Sequence, residues 1–269
     1  MTPTPPHRLR VAVLGFGEAG GEFARDLVAA GASVRGYDPK ISAPHGVSQR
    51  DDEADAIRDA ELVFSLTTGT EAEAAVLAAV PALCPGTIWA EANTTSPALK
   101  VLLGEQIHDH GGDLVDVAIM APVPGKGLYT PMAASGPAAP LFATMMSEFG
   151  VAIEQVDGPI GAASSRKLLR SIVYKGLAAA VVEAEAGARA AGCQEWFHHH
   201  LITEFVRFDA DMIERLISGT YAHATRRAEE MDAAAVQLAD LGITPRIAAA
   251  TRDALRAIAE DRAISFTKE

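Results

Sequence analysis

One segment near the N-terminus constrains the fold more than any other. Residues 11–14 are apolar, and a G-x-G-x-x-G loop from Gly15 to Gly20 follows them directly. In such a loop the first glycine permits a tight turn, the second admits a pyrophosphate, and the third lets the next helix pack on the strand. The start of that helix offers N–H groups and the positive end of its dipole to phosphates. We therefore expect the whole loop to bind a dinucleotide, through Gly15, Phe16, Gly17, Glu18, Ala19 and Gly20.

An acidic residue refines this prediction. A second predicted strand, 33–37, ends at Asp38, about 20 residues after the loop, where an acid binds the adenosine ribose hydroxyls. A carboxylate there repels a 2′-phosphate, so Asp38 favours NAD over NADP, although Arg35 and Lys40 could weaken that preference. We also expect three polar residues to contact the cofactor, namely Thr67, Thr68 and Asn93. The alternative is a glycine turn that merely closes a βαβ unit.

Composition excludes several classes of protein. The formal net charge of −12 argues against a nucleic-acid surface, because phosphate binding needs a basic field. The negative net charge is still compatible with a small anionic substrate, which a local cationic pocket could bind. No apolar run reaches the roughly 20 residues that span a bilayer, which predicts no membrane partner. Cys84 and Cys193 are far apart, which is typical of a reducing cytoplasm without a disulfide framework.

The order of predicted elements indicates an α/β fold with two domains. Short apolar strands are predicted at 9–14, 33–37, 62–66, 87–90, 114–120, 132–135 and 151–155, and helices lie between them, for example at 71–80, 97–110 and 138–149. This alternation predicts a doubly wound, mostly parallel, Rossmann-type sheet. Strand signals stop near 157–164, and alanine-rich helical segments follow, the first at about 164–191. We therefore predict a dinucleotide-binding domain at 1–160 and an all-helical substrate and dimerisation domain at 161–269.

The first long helix carries a cationic face. At about 100° per residue, one side presents Lys167, Arg170, Ser171, Tyr174 and Lys175, and the other presents Leu168, Leu169, Ile172, Val173 and Ala180. The polar side has three cations and no acid, which favours an anionic ligand. A solvated helix face is the alternative interpretation. Three consecutive histidines, 198–200, point in different directions on a helix and cannot share one ion, so we expect no metal site.

Three motifs in order resemble the β-hydroxyacid dehydrogenase superfamily, which includes 3-hydroxyisobutyrate dehydrogenase and 6-phosphogluconate dehydrogenase. The first is the glycine loop. The second is Glu-Ala-Asn-Thr-Thr-Ser-Pro at 91–97, similar to D-x-S-T-x-x-P. The third is Gly-Pro-Ile-Gly-Ala-Ala-Ser-Ser-Arg-Lys at 158–167, similar to G-x-x-G-x-G-x-x-x-K, with Ala163 replacing the last glycine.

The resemblance implies roles for particular residues. The lysine of the third motif acts in catalysis, which gives that role to Lys167. Substrate-binding positions are then Thr94, Thr95, Pro122, Val123, Pro124, Gly125, Arg170, Ser171 and Lys175. Hydroxyls and loop N–H groups also occur in ordinary turns, which is the alternative for the first six. The family also implies a homodimer.

Two differences from the family motifs limit what the resemblance implies for this chain. Arg170 and Ser171 stand where the family usually has asparagines, and segment 116–125 differs from D-A-P-V-S-G-G, with Pro124 in place of the serine. The chain thus resembles a less-characterised branch whose helical C-terminal domain was long of unknown function. Fold and redox class should carry over, whereas the identity of the substrate should not.

These observations together predict an oxidoreductase. We expect hydride transfer between NAD and a small anionic β-hydroxy acid or sugar acid, with Lys167 as the acid/base. The neighbouring cations Arg166, Arg170 and Lys175 would lower the pKa of that amine, as a base near neutral pH requires. Anchoring of a substrate carboxylate is the other role open to Lys167. Three further functions remain as alternatives: imine reduction or reductive amination, oxidative decarboxylation of the 6-phosphogluconate type, and a non-enzymatic dinucleotide-binding regulator.

Overall fold

The computed structural model describes residues 8–266 of the chain, and it contains one eight-stranded sheet in the order β3-β2-β1-β4-β5-β6-β7-β8. The strands are β1 Arg10–Leu14, β2 Ser33–Tyr37, β3 Ser48–Gln49, β4 Leu62–Ser65, β5 Ile88–Glu91, β6 Asp113–Ile119, β7 Met132–Ser135 and β8 Ile153–Gln155. β1 to β6 run parallel, β7 is antiparallel to β6, and β8 is parallel to β7. The predicted doubly wound, mostly parallel sheet is confirmed.

Helices cover both faces of the sheet, namely α1 Glu18–Ala29, α2 Glu53–Ile57, α3 Ala72–Ala79, α4 Pro97–Asp109 and α5 Ala139–Ser147. The chain then continues through α6 Ala162–Ala190, α7 Gln194–Phe205, α8 Ala210–Asp240 and α9 Arg246–Phe266. On one face Phe23 of α1, Phe64 of β4 and Phe142 of α5 pack edge to face, with ring centroids 5.7 and 5.8 Å apart. On the other face Trp89 and Leu103 form a second core with α2, α3 and α4. Because each central strand is buried on both sides, its sequence is a continuous apolar run rather than an alternating one.

Two short elements are absent from the sequence prediction. β3 has two residues and α2 has five, which is too short for a periodic pattern to develop. Asp52 caps α2 by accepting a hydrogen bond from the Asp55 backbone N–H at 2.7 Å. These elements complete the edge of the sheet beside β2.

The strand order defines where a ligand can bind. From β1 the chain adds β2 on one side and later returns to place β4 on the other. In open α/β sheets the crevice at such a reversal, beyond the carboxyl ends of the strands, is the ligand site. Here the reversal brings together the loops after β1, β2 and β4.

The chain divides into two compact units, Met1–Arg170 and Ser171–Glu269. The division falls inside α6, whereas the predicted boundary lies just before this helix. The second unit is helical over its described residues. Within it Glu183 of α6 accepts hydrogen bonds from the backbone N–H groups of Ile247 and Ala248, both at 2.8 Å, and so caps α9. Helix α8 contains a kink at His223, where φ is −128° and ψ is 26°.

Candidate active site

The three glycines of the G-x-G-x-x-G loop are needed for different physical reasons. A Cβ on Gly15, whose φ is +93°, would lie 2.5 Å from the Leu66 carbonyl oxygen, and one on Gly20 would lie 2.0 Å from the Gly15 carbonyl oxygen. The packing of the protein itself therefore demands both glycines. Gly17 has an ordinary φ of −61°, and no atom lies within 4 Å of the place its Cβ would occupy. This open space beside the backbone suits the close approach of a ligand.

Helix α1 presents its N-terminus at the same point. Gly17 is the N-cap residue, and no side chain of the described residues caps the helix. The N–H groups of the first turn therefore remain available, together with the positive end of the helix dipole. Such a terminus next to an open glycine is a phosphate-binding arrangement.

Asp38 fastens the glycine loop to the end of β2. Its Oδ2 accepts a hydrogen bond from the Phe16 N–H at 2.7 Å, and its Oδ1 accepts from the N–H groups of Lys40 and Ile41 at 2.8 and 2.9 Å. A carboxylate offers about four acceptor positions, so one position on Oδ2 remains for a ribose hydroxyl. The Phe16 side chain is buried in the core, so Phe16 reaches this site through its backbone alone.

A cavity of about 510 Å³ opens at the carboxyl ends of β1, β2 and β4. Five of the predicted cofactor residues line it, namely Gly15, Gly17, Asp38, Thr67 and Thr68. One wall is the exposed loop Pro39 to Ile41, and the opposite wall is the apolar face of α3 with Ala74, Ala75 and Ala78. The sequence prediction missed this alanine face, although its helical spacing beside the predicted strand 62–66 was a usable signal. The volume is that of an ordinary small-molecule pocket.

Asn93 joins the ends of two neighbouring strands. It is buried, and its side-chain Nδ2 donates to Ser65 Oγ at 3.0 Å and to Thr67 Oγ1 at 3.2 Å. The Thr68 hydroxyl pairs instead with that of Thr70 at 2.8 Å. Asn93 therefore fixes the position of Thr67 at the cavity and does not itself line it.

Thr95 carries an unsatisfied hydroxyl. It is only 7% exposed, and its Oγ1 has no hydrogen-bond partner among the described residues. A buried hydroxyl without a partner costs free energy, so this atom fits a role in holding a ligand. The preceding Thr94 is exposed.

The predicted substrate loop 122–125 is held against α1. Val123 is buried, while Pro122, Pro124 and Gly125 are exposed. Just beyond the loop, the Leu128 N–H donates to Asp26 Oδ2 of α1 at 2.8 Å. This bond ties the loop to the helix that begins at the dinucleotide loop.

Lys167 belongs to the same compact unit as the glycine loop. It lies in the first turns of α6 and is partly buried, whereas Arg170 is exposed at the end of this unit. Ser171 and Lys175 follow on the same helix in the second unit. The neighbouring Arg166 pairs with Glu154 of β8 at 3.7 Å.

No cluster of three or more histidine, cysteine or carboxylate side chains in the described part of the chain could hold a metal ion. No helix within those residues is long and apolar enough to cross a membrane.

The fold and the site together define a Rossmann-type dinucleotide-binding protein. Residues 10–132 match the family described as the NAD binding domain of 6-phosphogluconate dehydrogenase, and residues 188–258 match a domain of unknown function, DUF1932. NAD or NADP is therefore the cofactor of the first unit.

Whole-chain relatives agree with this class. The conserved protein MTH1747, of unknown function and structurally similar to 3-hydroxyacid dehydrogenases, is 30% identical, with a TM-score of 0.59 over 93% of this chain and 98% of that one. An uncharacterised 28.5 kDa protein of Methanothermus fervidus is 29% identical over 83% of this chain and 88% of its own length. An imine reductase from Myxococcus stipitatus in complex with NADP+ shares the fold at 18% identity, with a TM-score of 0.78 over 94% of each chain.

The chain belongs to the hydroxyacid dehydrogenase-like superfamily, in the branch whose helical C-terminal region is the DUF1932 domain. The resemblance found from the motifs is thus confirmed. The roles of the individual site residues stay predictions.

Substitution of the glycines separates packing from ligand binding. Gly17→Ala should change the free energy of unfolding by no more than about 1 kcal/mol, yet weaken NADH binding by at least about tenfold, because the new methyl group fills the space for the ligand. Gly20→Ala, the matched control, should destabilise the fold by about 1–3 kcal/mol or more. Urea unfolding and NADH titration measure the two effects. Unchanged NADH affinity in Gly17→Ala would contradict the assignment.

Proposed function

We propose that this protein is a cytoplasmic, homodimeric, NAD-dependent dehydrogenase that oxidises a small anionic β-hydroxy acid or sugar acid. The observation that carries the proposal is the position of Lys167, in the first turns of α6 and within the same compact unit as the glycine loop. A dinucleotide site accounts for redox chemistry in general, and a lysine base accounts for the oxidation of an alcohol in particular.

The residues of the first unit suit the dinucleotide. The open backbone at Gly17 and the uncapped start of α1 would hold the pyrophosphate, and Asp38 would accept a hydrogen bond from the ribose. The alanine face of α3 suits the flat apolar adenine ring. When bound, NAD supplies the hydride acceptor.

Lys167 acts as the acid and base that transfers the proton of the substrate hydroxyl group. During oxidation the substrate O–H and C–H bonds break and a C=O bond forms, while the hydride leaves to the cofactor. The neutral Lys167 Nζ accepts the hydroxyl proton, and in the reverse direction the ammonium group returns it to the alkoxide.

The groups that would hold the substrate come from the motif at 91–97, from the loop at 122–125 and from the helix that carries Lys167. The buried Thr95 hydroxyl lacks a partner and would donate to a substrate oxygen, with Thr94 beside it. The backbone of the loop from Pro122 to Gly125 offers further N–H groups. Arg170 follows Lys167 at helical spacing, and its positive charge favours an anionic substrate. Ser171 and Lys175 come next on the same helix.

Other redox functions of this superfamily make different demands. Imine reduction and reductive amination do not require a lysine base, so the presence of Lys167 favours alcohol oxidation over them. Decarboxylation after oxidation, as in 6-phosphogluconate dehydrogenase, would use the same proton transfer and is a variant of the proposal. A regulator that only senses the dinucleotide would need neither Lys167 nor the cationic residues beside it.

A second copy of the chain fits the apolar surface of the helical unit. No residue of α7 is buried, and the buried residues of α8 all follow the kink at His223. The exposed large apolar side chains before the kink are Trp196, Ile202, Phe205, Val206, Phe208, Ile213, Leu216, Ile217 and Tyr221. At roughly 100 Å² of exposed surface each, they supply the about 800 Å² per partner of a standard interface. Such an apolar set is typical of a permanent homodimer.

The preference for NAD is testable through Asp38. The native protein should bind NADH more tightly than NADPH, because the carboxylate repels the 2′-phosphate. Asp38→Asn should reduce this discrimination by about tenfold or more, whereas Glu73→Gln on the exposed side of α3 should leave it unchanged. Fluorescence titrations with the two reduced cofactors measure both. Equal or tighter binding of NADPH by the native protein would refute the preference.

The role of Lys167 is testable by removing its amine. Lys167→Met should lower kcat by about 10²–10⁴-fold with any hydroxy acid that supports NAD reduction, while NADH affinity stays the same. Arg189→Met removes a cation from the far end of the same helix and should leave kcat unchanged. If Lys167→Met raises KM but keeps kcat, the lysine anchors a substrate carboxylate and is not the base.

The dimer is testable by placing a charge on the apolar surface. Ile217 is 52% exposed in the single chain, so Ile217→Glu should convert a dimer to a monomer without loss of helical signal. Leu77→Glu, on α3 of the first unit, serves as the matched control and should remain a dimer. Multi-angle light scattering measures the mass. A native protein that is monomeric at micromolar concentration would contradict the proposal.

A further inference from the structure

Three charged side chains lie completely buried in the first unit. Lys100 of α4, Glu91 of β5 and Asp116 of β6 each have no exposed surface. Lys100 Nζ lies 3.3 Å from Asp116 Oδ1 and 3.9 Å from Glu91 Oε1, and it also donates to the Glu91 main-chain oxygen. Lys100 is therefore the counter-ion of both carboxylates, so the cluster of three side chains has one negative charge in excess. Buried charges are tolerated only when other groups compensate them.

The two carboxylates differ in their remaining partners. Glu91 stays within its own strand and the residues after it, where it accepts hydrogen bonds from Trp89 Nε1 at 3.3 Å and from the Asn93 N–H at 3.2 Å. Asp116 instead reaches the start of α6. It accepts from the backbone N–H groups of Gly161 and Ser164, at 3.1 and 2.9 Å, and from the Ser164 hydroxyl.

Ser135 of β7 extends the same contact. Its hydroxyl donates to Asp116 Oδ2 at 3.2 Å and accepts from the Ala163 N–H at 2.9 Å. The N–H groups of Ala163 and Ser164 in the first turn of α6 are therefore satisfied by side chains of two sheet strands. By contrast, α4 is capped by Ser96, the residue immediately before it, which accepts from the Leu99 N–H at 3.2 Å. A cap supplied by the sheet fixes the helix start relative to the sheet, which a cap from the adjoining residue does not.

The charges around Asp116 favour a carboxylate at this position. Helix α6 has no acidic residue in its own first turn, so the positive end of its dipole is free to compensate the excess negative charge of the cluster. Lys100 supplies the remaining compensation. Loss of Lys100 would leave two buried carboxylates without a counter-ion, whereas loss of one carboxylate would leave the other paired with Lys100.

We propose that Asp116, paired with Lys100, is a positioning residue for catalysis. It fixes the rotation and axial position of the first turn of α6, and Lys167 lies one turn beyond Ser164. The Lys167 amine is thereby held at a constant place relative to the sheet. The catalytic part of this inference rests on the proposed role of Lys167. The part that concerns the fixed start of α6 does not.

Glu91 provides a matched control for testing the inference. Asp116→Asn and Glu91→Gln each remove one buried carboxylate from Lys100, but only the first weakens contacts with α6. Hydrogen exchange of the amides at 163–167 should accelerate by about tenfold or more in Asp116→Asn relative to Glu91→Gln. With an active substrate, kcat should fall in Asp116→Asn while NADH affinity is retained. Equal exchange in the two variants would overturn the inference.

Comparison with Lys167→Met separates the two possible failures. If Lys167→Met abolishes turnover and Asp116→Asn accelerates exchange without lowering kcat, the positioning role is wrong and the role of Lys167 stands. If Lys167→Met retains full turnover, the proposed function fails, and faster exchange in Asp116→Asn still establishes the fixing of the helix.

A milder variant covers the case in which Asp116→Asn does not fold. Ser164→Ala removes one donor to Asp116 and leaves the charges intact, so it should accelerate exchange at 163–167 by a smaller factor. Ser165→Ala, which alters none of these contacts, is its control. Identical exchange in the two serine variants would again overturn the inference.

Discussion

The contact between the backbone at Gly15 and the backbone at Gly20 is the constraint on which the rest of the structure depends. Any side chain at either position would clash with a carbonyl oxygen, so these glycines bring β1, α1 and the loop after β4 within van der Waals distance. Within the same loop, no described side chain caps the start of α1, and the space beside Gly17 is open. A dinucleotide site follows from how closely the chain packs on itself.

The remaining polar residues hold the loops that surround this site. Asp38 ties the glycine loop to the end of β2, Asn93 joins the ends of β4 and β5, and Asp26 holds the loop after β6. Asp116 does the same for the start of α6. Each uses side-chain hydrogen bonds to backbone or hydroxyl groups, which gives a set of loops the fixed geometry that chemistry requires. The Thr95 hydroxyl has no hydrogen-bond partner among the described residues, which supports its proposed role in binding a ligand.

The sequence alone predicted those features that depend on the local pattern of residues. The glycine loop, the acid after β2 and the alternation of strands and helices are all periodic or closely spaced, so the fold and the cofactor class were accessible. The ion pair between Lys100 and Asp116 was not, because it depends on which strands become neighbours. Nor could the pattern show that Asp38 directs its oxygens to the backbone, or that Phe16 is buried. The short elements β3 and α2 are fixed by packing at the sheet edge rather than by a pattern of their own.

In the proposed function, the first unit uses its dinucleotide to oxidise an anionic hydroxy acid. The most direct measurement is the appearance of NADH when the protein and NAD+ are offered a panel of β-hydroxy acids and sugar acids. Our account predicts reduction of NAD+ by at least one of these acids and none by their uncharged alcohol analogues. Tight binding of NADH without turnover of any member of the panel would contradict it and would indicate a dinucleotide-binding regulator.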